Sequence, residues 1–156
     1  METIRRILVI SRMNPYSRKT FNFGASLARK YDANLLILHL ISNPVDMLVV
    51  NAPGLLLNEE YKNYRDSQQY AKEQLAKIIQ QEIKNGYPVK ELCSDRDPVE
   101  EVMRVVSEEK IDLILMSAHE EGRIEHVLFG GENDAIIRKI PCSILLVKSE
   151  PEPVNW

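Results

Sequence analysis

Cysteine is nearly absent from this chain: Cys93 and Cys142 are the only two among 156 residues. Two thiols cannot staple a disulfide framework, and each sits at the edge of a strand-like run, where a small buried thiol is commoner than a reactive one. Long apolar runs are missing too, and no window approaches the roughly 20 residues needed to cross a bilayer. The opening METIRRILVISR carries no apolar signal segment, because Arg12 closes the run. No sign of charge dominates. Twenty Lys and Arg face 23 Asp and Glu, a formal net of −3, so no global field draws the chain to nucleic acid. These absences predict a soluble, cytoplasmic protein with neither a membrane nor a nucleic acid as partner.

What is present is periodicity. The length suits one domain with one sizeable core, expected over residues 1–148 with a tail over 149–156. Short apolar runs at residues 4–10, 34–40, 88–93, 112–117 and 143–148 read as strands, the third being the weakest. Runs of this kind suit parallel strands covered on both faces. Helical patterns separate them, at residues 17–30, 58–84, 97–109 and 131–140, as right-handed crossovers require. Ser17 is read as the cap of the first helix, and Gly24 as the point of close approach to the sheet. Gly86 reads as the terminator of the second helix. Asp97 followed by Pro98 opens the third, and Pro141 ends the last. The fold class is therefore α/β.

Two stretches fall outside this rhythm. Residues 41–57 include VDMLVVNAPGLLL, an unusually apolar loop. It suits a cap on the core, a contact with a partner subunit or a short membrane-facing element, although Asp46, Asn51, Pro53 and Gly54 interrupt the last. In the tail, Pro151 and Pro153 prevent a regular strand, leaving Trp156 either frayed or docked.

The segment SAHEEGRIEHVLFGG, residues 117–131, joins the fourth strand to the last helix. A parallel α/β protein places its ligand site at such a junction. His119 and His126 lie within it, but their spacing matches no metal signature. His39, near the carboxyl end of the second strand, suits either a cleft wall or a structural polar contact. No serine, histidine and acid set has motif support for nucleophilic catalysis. A nucleotide-hydrolysing enzyme would also need a base, a magnesium motif or a lysine-bearing phosphate loop, none of which is identifiable.

Over essentially its whole length the chain resembles the universal stress protein family. The resemblance rests on MSAHEEGRIEHVLFGGENDAIIRKIPCSILLVK, residues 116–148, on the opening strand ILVI, residues 7–10, and on DPVEEV, residues 97–102. It implies a three-layer α/β/α sandwich with a five-stranded parallel sheet in the order 3-2-1-4-5. It also implies a homodimer joined through the last strand, at Ser143, Ile144, Leu145, Leu146 and Val147.

The resemblance further implies a nucleotide site, and here the chain departs from the pattern. ATP-binding members carry a glycine, two residues, a second glycine, nine residues, and then a glycine followed by serine or threonine. The matching positions are Ser117, Glu120, Gly130 and Gly131, of which only Gly130 keeps the pattern. Glycine lets backbone amides approach phosphate where a side chain obstructs, and Glu120 and Glu121 add negative charge beside an anionic ligand. Gly131 and the start of the last helix still offer amides to an anion, and Arg123 is near enough in sequence to help. Arg12 replaces the aspartate that recognises the nucleoside, and a guanidinium donates hydrogen bonds only. Arg96 replaces a glycine ahead of the third helix. Arg12, Arg96 and Arg123 suit either a basic rim or ordinary surface charge.

The expected function is thus a non-catalytic, homodimeric stress-response or regulatory protein with weakened or lost ATP binding, to which a regulatory protein partner also fits. The alternative is a switch binding AMP or ATP through a divergent phosphate loop.

Overall fold

The first strand, β1 (Arg6–Ser11), carries five consecutive buried residues from Ile7 onward, so apolar atoms cover both of its faces. This computed structural model describes residues 3–41, 59–118 and 132–148. Along the chain β1 is followed by α1 (Ser17–Tyr31), β2 (Asn34–Leu40), α2 (Glu59–Lys84), β3 (Val89–Ser94), α3 (Pro98–Glu108), β4 (Leu113–Ala118), α4 (Glu132–Lys139) and β5 (Ser143–Lys148). These match the expected elements to within a residue or two. The expected readings of residues 42–57, of the segment from His119 through Gly131, and of the tail including Trp156 lie outside the described residues.

The strands form one parallel sheet in the order β3-β2-β1-β4-β5. Alternation along each strand then sorts side chains between two layers. On one face Leu8, Ile10, Leu36, Leu38, Ile114 and Met116 pack with Val102 and Val105 of α3 and Ile136 of α4. On the other, Ile7, Val9, Leu35, Ile37 and Leu115 pack with Phe21 and Ala25 of α1 and Leu75 and Ile79 of α2. The result is a three-layer α/β/α sandwich. β3 read weakly because it is an edge strand, with Lys90, Glu91 and Cys93 exposed.

Close packing and chain reversals set the helix positions. A Cβ on Gly24 would lie 2.5 Å from Val9 Cγ2, so α1 reaches β1 only because that position is bare. α2 ends at Gly86, whose φ of +90° turns the chain while Tyr87 N–H reaches the carbonyl of Glu82 and Gly86 N–H that of Ile83. Asp97 caps α3 as expected, its Oδ1 accepting from Glu100 N–H at 3.0 Å with Pro98 in the first turn.

Two expectations need correction. Ser17 does not cap α1. Tyr16 holds the cap position without a side-chain bond, and Asn14 takes over the work, because Pro15 fixes a turn that carries the Asn14 amide oxygen over the helix start, where it accepts from the backbone N–H of Tyr16 and of Ser17 and from the Ser17 hydroxyl. Cys93 is not buried; the edge position of β3 leaves it exposed, whereas Cys142 is half-buried and burial pushes its thiol pKa up.

Candidate functional site

From the carboxyl end of β1 the chain crosses to β2 on one side, and from that of β4 it crosses to β5 on the other. The crevice between β1 and β4 is therefore the point where strand order reverses, and parallel α/β sheets bind ligands there. Small polar side chains fill its floor. Ser11, Asn14, Ser17 and Thr20 are all buried, although a parallel sheet of this size buries mostly hydrocarbon.

Their hydrogen bonds explain how burial is tolerated. Ser11 Oγ accepts from Met13 N–H at 3.1 Å. Met13 sits at φ 55°, a left-handed conformation that swings the chain out of β1 towards α1. Asn14 then holds the first turn of α1, as above. Thr20 Oγ1 lies 2.6 Å from Ser117 Oγ and also donates to the carbonyl of Tyr16 at 3.2 Å. The Ser117 hydroxyl is 3.5 Å from that same carbonyl. A triangle of two hydroxyls and one carbonyl thus ties the end of β4 to the first turn of α1.

Of the sequence-predicted site residues, Arg12, His39 and Ser117 come to the carboxyl ends of neighbouring strands, β1, β2 and β4. Arg12 is half-buried directly after β1. His39 stands beside Ser11 in register and is 6% exposed. Its Nε2 lies 3.3 Å from Glu91 Oε1 on β3, while its buried Nδ1 has no hydrogen-bond partner among the described residues. Burial pulls its pKa below the ordinary 6.5; Glu91 opposes that pull, and the Lys72 charge adds to it. Glu120, Arg123, Gly130 and Gly131 lie outside the described residues.

Arg96 is exposed beyond β3, within electrostatic reach of Glu101. Glu101 is buried at the start of α3, where Arg104 holds its carboxyl below the usual range and Ser94 also bonds to it. Arg96 is therefore part of the acidic and basic surround of α3. Among the described residues no group of three His, Cys, Asp or Glu is placed to hold a metal ion, and no helix is long and apolar enough to cross a membrane.

The sequence reading missed Ser11, Asn14 and Thr20. Asn14 was signalled by the Asn-Pro pair two residues ahead of a helix, an Asx-turn pattern. Thr20 carried no such signal, since only the fold brings it to Ser117. An open groove of about 810 Å³ lies at the opposite, amino ends of the strands, lined by Arg5, Asp112, Cys142 and Ser143 among others. It contains none of these groups.

The universal stress protein family model matches residues 3–148, nearly the whole chain. The chain belongs to the universal stress protein family. Universal stress protein MJ0577 of Methanocaldococcus jannaschii is 24% identical over 123 residues, covering 73% of this chain and 76% of that protein. Among solved structures, universal stress protein UspA from Lactobacillus plantarum is 17% identical with a TM-score of 0.64, covering 94% of this chain and 99% of that one. A universal stress protein solved in complex with cAMP is 14% identical with a TM-score of 0.59, covering 96% and 100%. These two likenesses carry the fold.

Proposed function

We propose that this universal stress protein acts as a non-catalytic regulatory homodimer in which ordinary ATP binding is weakened. The observation that carries this reading is the contact between Ser117 Oγ and Thr20 Oγ1. The resemblance puts Ser117 where ATP-binding members begin their phosphate loop with glycine. Here that position bears a hydroxyl committed to α1, which holds the strand end against the helix and takes space that backbone amides need to meet phosphate. Arg12, in place of a nucleoside-binding aspartate, points the same way, because it offers donors only. Glu120 adds unfavourable charge.

Two copies meeting at β5 fit the exposure of that edge. Leu146 of β5 is 46% exposed, Ile137 of the adjoining α4 43% and Phe23 of α1 48%, so large apolar groups remain in water. Val147 is buried within the subunit, so the strand serves the core and the contact with different side chains. Residues 1–148 act as one unit in this reading, with 149–156 appended.

A second reading, a switch binding AMP or ATP through a divergent loop, is favoured by the cAMP complex of a relative of the same fold. Gly130, Gly131, Arg123 and His39 would then contribute with Arg12. Calorimetry with ATP, AMP and inorganic phosphate, repeated on Arg12→Ala, distinguishes the two. The first reading expects no saturable ATP heat at micromolar concentration. Saturation there, lost in Arg12→Ala, establishes the switch instead. Light scattering over a dilution series tests assembly, and a concentration-independent monomer would rule out the homodimer.

A further inference from the structure

Among the described residues, His39 is the buried side chain at the carboxyl ends of the strands whose hydrogen bonding is incomplete. Its tautomer follows from its neighbours. A carboxylate oxygen accepts, so the bond to Glu91 places the imidazole proton on Nε2 and leaves Nδ1 as a bare lone pair. That lone pair is buried and meets no donor among the described residues.

The surroundings decide what a second proton would meet. From β3, Glu91 faces the ring, and Cys93 stands beside it in register. From β1, the register neighbour is Ser11, which cannot titrate in this range. The inward residues of α1, Ser17, Thr20, Phe21, Gly24, Ala25 and Ala28, carry no charge. From α2 comes the Lys72 charge. Among the described residues the ring therefore has one carboxylate at Nε2, no acceptor at Nδ1 and a cation within electrostatic range.

We propose that His39 is a proton-triggered release for the β2–β3 margin: a second proton, at Nδ1, buries a charge and a donor without an acceptor among the described residues, a cost that the Glu91 carboxylate offsets only in part, and so loosens α2 and β3 from β2. The effect is local because β3 is an edge strand, paired with β2 and half-exposed along its length, whereas β1 and β4 are buried at the sheet centre. Acid therefore opens the β3 margin of the sheet before it unfolds the domain.

The sign follows from proton linkage. The folded state holds this proton less tightly than the unfolded chain, so the stability due to neutral His39 is complete above the ordinary value of 6.5. It declines as pH falls through 6.5 and levels off below the lowered folded midpoint. Nitrogen-15 spectra of the imidazoles, titrated from pH 8 to 4.5 on the full chain and assigned with His39→Gln, test the proposal without any nucleotide. We expect an Nε2–H tautomer, a midpoint below 6.5, and a lower one still in Glu91→Gln. Amide protection in β3 and α2 should fall about tenfold per unit of separation between folded and unfolded midpoints, ahead of β1 and β4. An Nδ1–H tautomer, a midpoint at or above 6.5, or a uniform loss of protection across the sheet would overturn it. The tautomer, midpoint and protection are read on the unsubstituted chain, so an unfolded variant cannot mask the answer.

Discussion

The two ends of the sheet handle polar groups in opposite ways. At the amino ends they are charged and reached by water. Asp112 Oδ2 accepts from the backbone N–H of Arg5 at 2.8 Å and of Arg6 at 2.9 Å, while Arg6 Nη1 donates to the carbonyl of Glu109 and Lys90 pairs with the Glu109 carboxylate. At the carboxyl ends between β1 and β4 the described side chains, Arg12 apart, are neutral and sheltered, with buried Asn14, Ser17 and Thr20 and half-buried Ser117 bonded to one another and to the backbone. Solvation explains the division. A carboxylate keeps its charge cheaply where water remains, whereas a buried floor can hold hydroxyls and amides only when each finds a partner. Chain closure is performed at one end, and a shaped polar floor is maintained at the other.

Substitutions can break this contrast. Asn14→Ala removes the acceptor of three bonds at once, two of them buried, and should cost about 2 kcal/mol in a denaturant melt. Asp112→Ala strips two bonds at the wetter end, where water replaces the lost oxygen, and should cost at most about 1 kcal/mol. If Asp112→Ala proves the more damaging of the two, the solvation argument fails. The smallest change has the opposite sign. Lys110 follows α3 at φ 51°, while Ile111 N–H closes on the carbonyl of Val106, a position glycine occupies without a Cβ penalty. Lys110→Gly should therefore raise stability, by about 0.5 kcal/mol net of the greater freedom of the unfolded chain; a thermal midpoint below that of the parent would refute it.

Sequence periodicity was sufficient for the architecture because each element follows an elementary pattern. The run of Ile7 to Ile10 is buried from both sides, and Val102, Val105 and Val106 recur with the helical repeat. Ends were harder. Asp97 shows its role by adjacency to Pro98, but Ser17 looked like a cap when Asn14, one turn earlier, does that work. Lys110 and Asp32 adopt left-handed conformations that sequence assigns first to glycine. The candidate site was legible only residue by residue. His39 was singled out because it lies near a strand end, and Arg12 and Ser117 because they stand where the family pattern has an aspartate and a glycine, whereas the bond between Thr20 and Ser117 joins residues 97 apart and exists only once the sheet is assembled.

The margins of the sheet are also unlike each other, and this limits what copies of the chain can build. β3 presents exposed Lys90 and Glu91, which discourage a neighbouring strand, while β5 presents exposed Leu146. A molecule whose edge strands differ in this way can join one twin through β5, strand edge to strand edge, while the charged edge of β3 discourages a third. Stickiness at β5 would therefore yield a closed pair and leave no growing end for a fibre.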